Sequence, residues 1–323
     1  MREKDLTYDE VALVPQFGTA VTRSMCSPLT YMCGSKSAFK VPVMPANMKC
    51  SIDLPTARAL QHNDYFYAMH RFGDTYEFVK LANTESWKTI SISIGVKKED
   101  RELLRQISKD SLRVDYITID IAHGHSHSML EMIWFVKNLF PKVFIIAGNV
   151  ATPDGFTDLS KAGAHAVKVG IGQGAACTTK LQTGFTMPMF TCIQKIREER
   201  SYHSKENKSI IIADGGIKYN GDIAKAIVAG ADWVMSGRLF AECKDSPAEI
   251  DSEGNKLYFG SASEANKKHT NHVEGKTLHI SKSNLDYLGK LKEIEQNLQS
   301  SISYAGGATL QDLARADWIT VTP

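Results

Sequence analysis

The sequence predicts an α/β chain folded as a (β/α)8 barrel, and three observations carry the prediction. Eight short β-rich runs recur between residues 41 and 240, stretches of helical composition separate most of them, and several of those stretches end in glycine just before an apolar run. Parallel strands need a crossover connection, so strand, helix, strand in repeated order is the grammar of a parallel sheet. Eight such units favour closure into a TIM barrel, although a doubly wound open sheet uses the same grammar. The length of 323 residues suits one barrel of about 250 residues with appendages.

In chain order the runs lie at 41–46, 65–70, 89–94, 116–120, 143–147, 166–170, 209–213 and 233–236. They are rich in Val, Ile, Thr, Tyr and Phe, which fit a pleated, buried surface. The helical stretches include 56–62, 101–109, 128–138, 154–162 and 221–229. Gly163 and Gly230 close the last two, at the position where a left-handed residue ends a helix. Two gaps break the period, 170–209 and a long excursion at 241–282 after the eighth strand. In a barrel both leave the C-terminal ends of strands, where active sites are built, so the second reads as an active-site flap. A helical tail follows, with an amphipathic segment at 284–300, then residues 301–307 and a short helix to 316. The whole reads as one domain without a linker.

Composition narrows the function. A hydrophobic share of 43% and a charged share of 23% describe an ordinary globular protein and exclude a fibrous, collagenous or disordered chain. A net charge of +2 with no long run of like charges is not the footprint of a nucleic-acid or anionic-membrane binder, so a small molecule is the expected partner. Residues 1–10 are charged, and no stretch approaches the roughly 18 apolar residues of a membrane span. The six cysteines, Cys26, Cys33, Cys50, Cys177, Cys192 and Cys243, form no C-x-x-C pair, which suits a reducing compartment. A cytoplasmic protein is expected, with most cysteines buried as small hydrophobes.

Chemistry has three candidate locations. The sixth run leaves Lys168 for a loop in which Gly170, Gly172 and Gly174 precede Cys177. Glycines let a backbone approach a ligand or ion, and a partly exposed loop is where a thiolate attacks; a buried cysteine beside a turn has the same appearance. The seventh run ends at Asp214, Gly215 and Gly216, and the eighth at Ser236, Gly237 and Arg238. Glycines after strands seven and eight are the usual phosphate site of such barrels, and a strand-end carboxylate such as Asp214 can grip sugar hydroxyls. His123, His125 and His127 follow the fourth run, but without a partner at a recognised zinc spacing they read as loop contacts or solvated side chains. Glu274, in the excursion, is unreadable alone.

Several ordered segments resemble the inosine-monophosphate dehydrogenase and guanosine-monophosphate reductase family: residues 8–15 (YDEVALVP), 45–48 (PANM), 119–125 (IDIAHGH), 147–150 (AGNV), the cysteine loop and 214–217 (DGGI). The resemblance covers nearly the whole chain and implies a (β/α)8 barrel whose loop cysteine attacks C2 of a purine nucleotide beside a nicotinamide cofactor. Within the family, Arg71 runs straight on toward the third strand, where most dehydrogenases insert a regulatory (CBS) domain, and no Arg-Tyr pair occurs between Gly260 and Lys282. Residues 258–263, 273–276 and 300–307 look like reductases of Gram-positive bacteria.

The resemblance thus implies reduction of GMP to IMP and ammonia by NADPH, in a homotetramer. It makes Cys177 the nucleophile, with Thr179 and Glu274 as the proton-transfer pair. It assigns nucleotide contacts to Asp214, Gly215, Gly216, Ser236, Gly237, Arg238, Ser261, Ala262, Ser263, Asn271 and Gly275. Cofactor contacts fall to Arg71, Asp120, Ile121, Ala122, Ile171, Gly172, Thr270, Ser301 and Tyr304, and a monovalent cation such as K+ to Gly172, Gly174 and Cys177. Three departures stand out: Gln173 replaces the usual Pro, residues 183–190 lack extra glycines and a Gln, and Asn271 replaces a basic residue. A dehydrogenase without its regulatory domain and a non-catalytic nucleotide-binding barrel are the alternatives.

Overall fold

The computed structural model describes residues 4–20, 22–32, 38–202, 209–263 and 274–322. Its centre is a parallel sheet of seven strands: Val43–Pro45, Ser91–Ile94, Tyr116–Asp120, Phe144–Val150, Ala166–Val169, Ile210–Asp214 and Trp233–Ser236. Each strand from the third onward lies beside its predecessor, and Val43–Pro45 closes onto Trp233–Ser236, with Val43 opposite Val234. Side chains alternate between two cores, as a period of two requires. Ile117, Ile119, Val167, Val169, Ile211 and Ala213 pack outward among the helices, whereas Tyr116, Phe144, Ala166, Ile210, Ile212, Trp233 and Met235 fill the barrel interior.

The second predicted strand is not laddered. Residues 65–70 run between the Val43–Pro45 and Ser91–Ile94 strands with one backbone bond there, Met69 N to Ser91 O at 3.3 Å. The Tyr67 hydroxyl donates to Thr89 O at 2.8 Å and accepts from Ser91 N at 3.4 Å, so a side chain holds backbone groups available to a ladder. The run still obeys the barrel's alternation, with Tyr65 and Tyr67 outward and Phe66 and Ala68 inward. Phe66 meets Tyr116 at 4.9 Å and Trp233 at 5.6 Å edge to face, closing the interior that the seven-stranded sheet leaves open.

The helices form where stripes and caps coincide. Asp53 caps Leu54–His62 by accepting from Thr56 N, and Thr152 caps Pro153–Ala162 with proline in the first turn. Gly163 ends the latter at φ +116°, a left-handed backbone that a side chain would strain. Thr75–Thr84, capped by Asp74, supplies a crossover after the second run, and the 170–209 gap holds Thr179–Thr183 and Met189–Tyr202. The tail departs from expectation: Ile302 extends the buried stripe Leu291, Ile294, Leu298 by another turn, so one helix spans Tyr287–Tyr304 and includes Ser301. The excursion contains an antiparallel pair, Lys256–Phe259 with Thr277–Ile280. Among the described residues no helix is long and apolar enough to cross a membrane.

Candidate active site

Strand ends and loops enclose a cavity of about 390 Å³, lined by Cys177, Thr179, Glu274, Asp120, Lys168 and Asp214 among others. Cys177 comes from the loop after Ala166–Val169, and Glu274 from the excursion. Backbone pairing brings them together: Thr178 N donates to Glu274 O at 2.9 Å, Lys276 N to Ala176 O at 2.9 Å and Glu274 N to Ala262 O at 3.1 Å. Gly275 pairs with both Cys177 and Ser263. A Cβ on Gly275 would stand 3.0 Å from Ser263 N, so the approach of the three segments needs a residue without a side chain.

The product of that pairing is a short hydrogen-bond chain. The Cys177 thiol donates to Thr179 Oγ1 at 3.2 Å, and the Thr179 hydroxyl donates to Glu274 Oε2 at 2.6 Å. A charge-assisted O–H···O bond of that length is among the stronger kinds. The other described cysteines, Cys26, Cys50, Cys192 and Cys243, are buried; burial pushes the Cys192 and Cys243 thiols up to about 12. Cys33 lies outside the described residues.

Gln173 stiffens the loop by hydrogen bonds. Its Nε2 donates to Thr186 Oγ1 at 2.7 Å, Thr186 Oγ1 donates to Ile171 O at 3.0 Å, and Gln173 O accepts from Gly216 N at 3.0 Å. The peptide N–H of Gly216, expected at the phosphate, is therefore engaged with the cysteine loop. Ser236 is buried, and its Oγ has no hydrogen-bond partner.

On the cavity wall the expected residues Asp120 and Asp214 meet on a buried lysine, Lys168, that reading by sequence alone did not single out. Lys168 Nζ sits 2.7 Å from Asp120 Oδ1 and 3.2 Å from Asp214 Oδ2, with its side chain 2% exposed. Asn47 donates to Asp120 Oδ2 at 3.2 Å, and Asn149 donates to Asp214 Oδ2 at 2.9 Å. Burial works to raise the Asp120 carboxyl, but Lys168, Arg71 and Asn47 together outweigh it and hold it below its ordinary value. Burial likewise works against the Lys168 ammonium, and Asp120 and Asp214 outweigh that, pushing it above the usual lysine range. The available signal was a lone lysine in an otherwise apolar strand, together with the asparagines of the 45–48 and 147–150 segments.

Of the expected site residues, Cys177, Thr179, Glu274, Asp214, Gly215, Gly237, Ser261, Ala262 and Gly275 line the cavity, as do Arg71, Asp120, Ile121, Ala122, Ile171, Gly172 and Gly174. Gly216, Ser236, Arg238 and Ser263 adjoin lining residues in sequence without lining it themselves. Ser301 and Tyr304 lie elsewhere: Ser301 Oγ donates to Asn297 O at 3.0 Å, and Tyr304 accepts from Arg23 at 3.3 Å. Thr270 and Asn271 fall outside the described residues. Gly174 O accepts from Cys177 N at 2.9 Å. His125 pairs with Asp158 at 2.8 Å and His127 with Glu131 at 3.2 Å, both near the surface. A nicotinamide cofactor fits the donor set: Arg71 lines the cavity with a buried Nε that has no hydrogen-bond partner.

A family model described as IMP dehydrogenase / GMP reductase domain matches residues 5–323. The chain is 44% identical to a GMP reductase of Helicobacter pylori (strain G27), across 98% of this chain and 97% of that one. It is 43% identical to GMP reductases of Bacillus subtilis (strain 168) and Clostridium acetobutylicum, in each case across 99% of this chain and at least 96% of the relative. The chain belongs to the IMP dehydrogenase / GMP reductase family.

Proposed function

We propose that the chain is a GMP reductase, converting GMP to IMP and ammonia with NADPH through a covalent bond between Cys177 and C2 of the purine. The observation that carries this reading is the thiol–hydroxyl–carboxylate chain from Cys177 through Thr179 to Glu274, with links of 3.2 and 2.6 Å on the cavity wall. An amidine carbon calls for a soft nucleophile, and its amine leaves only once protonated.

The Cys177 thiolate forms the S–C2 bond, and the Thr179 and Glu274 pair delivers a proton to the exocyclic nitrogen as the C2–N bond breaks and ammonia departs. The nicotinamide cofactor, when bound, supplies hydride. C2 then accepts that hydride, the S–C2 bond breaks, and Cys177 regains a thiolate as IMP is released. Asp214 would hold the ribose, with Gly215, Gly237, Ser236 and Arg238 at the phosphate, while the Gly216 N–H is taken by Gln173 O. Arg71, Asp120 and Ala122 would face the cofactor. A monovalent cation at the Gly172 and Gly174 carbonyls, a homotetramer and a cytoplasmic location complete the reading.

The test is to follow loss of the reduced cofactor with GMP, paired with an ammonia assay and a Cys177→Ala control. Equal NADPH and ammonia turnover, lost in the variant, is the expected result. Oxidation of IMP by NAD without any GMP reaction would make the chain a dehydrogenase instead.

A further inference from the structure

We propose that Lys168 is a positioning residue that couples the nucleotide end of the cavity to its cofactor end, by holding Asp214 and Asp120 on one ammonium group. The inference rests on the GMP and nicotinamide reading above, which places Asp214 at the ribose and Asp120 at the cofactor.

The strands build this bridge by register. Asp120 lies opposite Gly148, and Gly148 opposite Lys168, so the three form one row across adjacent strands. The middle residue has no side chain, and a Cβ there would come within 2.5 Å of Lys168 Cβ. Glycine at 148 thus leaves the space in which the lysine stem passes toward Asp120. On the other side the Ile210–Asp214 strand ends with its carboxylate 3.2 Å from the same nitrogen.

One cation is therefore divided between two carboxylates, with the shorter contact to Asp120. Asn47 holds Asp120 Oδ2, and Asn149 holds Asp214 Oδ2, the oxygen that also faces Lys168. No hydrogen bond is formed by Asp214 Oδ1 among the described residues, and Asp214 lines the cavity. A sugar hydroxyl donating to Asp214 competes with the ammonium for that carboxylate. What Asp214 gives up, Asp120 gains, and the reverse follows from thermodynamic reciprocity. The charges sit where water screens them poorly, so the redistribution acts over a few ångströms with little attenuation.

A double-mutant cycle in the full-length protein tests the coupling, with GMP affinity measured by calorimetry in the absence of cofactor. Asp120→Asn releases the ammonium to Asp214, where it competes with the ribose; GMP binding is expected to weaken by about fivefold or more. In a Lys168→Met background the same substitution is expected to change GMP affinity by less than about twofold, and Lys168→Arg, which keeps the cation, is expected to restore the effect. A purely structural lysine would give an equal Asp120→Asn effect in every background, and that result would overturn the proposal. So would an unchanged GMP affinity in Asp120→Asn alone, which decides the matter even if Lys168→Met does not fold. Wild-type protein that binds no GMP would overturn the substrate reading itself, whereas GMP binding and turnover with additive variants would overturn the coupling alone.

Discussion

Thr179 and Glu274 stand 95 residues apart in sequence and 2.6 Å apart in space. If they move the proton that frees ammonia, Thr179→Val and Glu274→Gln should each lower kcat by about a hundredfold or more, the usual range for lost acid–base assistance. Cys177 should still be alkylated by iodoacetamide in both, because neither variant removes the thiol. Loss of alkylation together with turnover would show instead that the pair only shapes the loop. The glycine spacing marked Cys177 as a candidate but left a buried cysteine equally open, and Glu274 was unreadable alone, since its meaning comes from a backbone pairing that no local pattern announces; the resemblance supplied both roles. Lys168 was hidden for the same reason: its partners come from other strands. A pH consequence follows at Asp120. Its folded carboxyl lies below the unfolded value, so it contributes stability that is present above the unfolded pKa, about 4, and lost as pH falls through the folded one. Asp120→Asn should therefore flatten the acid limb of stability, measured by guanidinium unfolding from pH 6 down to 3; superimposable limbs would refute this assignment.

Elements were legible where a stripe, a cap and a glycine agreed, and less so where side chains stood in for backbone. The run at 65–70 has strand composition and strand alternation, yet the Tyr67 hydroxyl occupies backbone groups of the neighbouring run. Its contribution is packing. Phe66 is fully buried among Phe39, Tyr116 and Trp233, so Phe66→Ala should cost about 3–5 kcal/mol in urea unfolding; a loss below about 1 kcal/mol would mean the interior closes without it. The cysteine loop shows another substitution of means. Where the family resemblance leads one to expect the fixed ring of proline, Gln173 reaches Thr186 through one partly solvated hydrogen bond. Such a bond contributes about 0.5–1.5 kcal/mol, so Gln173→Ala should lower kcat/KM roughly two- to tenfold with the unfolding midpoint almost unchanged. An unaltered kcat/KM would show that the Gln173 O to Gly216 N contact suffices.

At the scale of the whole molecule, the two ends of the described chain meet behind the catalytic loops. Val11–Leu13 pairs antiparallel with Trp318–Thr320, and Val14 N donates to Asp317 O at 2.8 Å. From this junction, Leu6 N donates to Thr191 Oγ1 at 2.7 Å on the helix Met189–Tyr202, and Lys225 Nζ on Asn220–Ala229 donates to Tyr8 O at 2.8 Å. Those helices follow the cysteine loop and the Asp214 turn, so the strap fastens the scaffold under the reacting groups without entering the cavity. Composition could not reveal it, because a three-residue strand has too short a pattern to distinguish from loop. Trp318 is its anchor, half-buried and edge-on to Phe190 at 4.9 Å. Removing that ring should cost about 1–3 kcal/mol of folding stability, as expected for partial loss of a buried aromatic. It should leave the KM for GMP within about twofold of the parent, since a stabilising contact outside the cavity does not change ground-state binding of the folded fraction. Trp318→Ala, assayed by urea unfolding and by steady-state kinetics at a temperature where it remains folded, separates the two effects. A raised KM with undiminished stability would mean that the strap tunes the cavity instead of holding the barrel together.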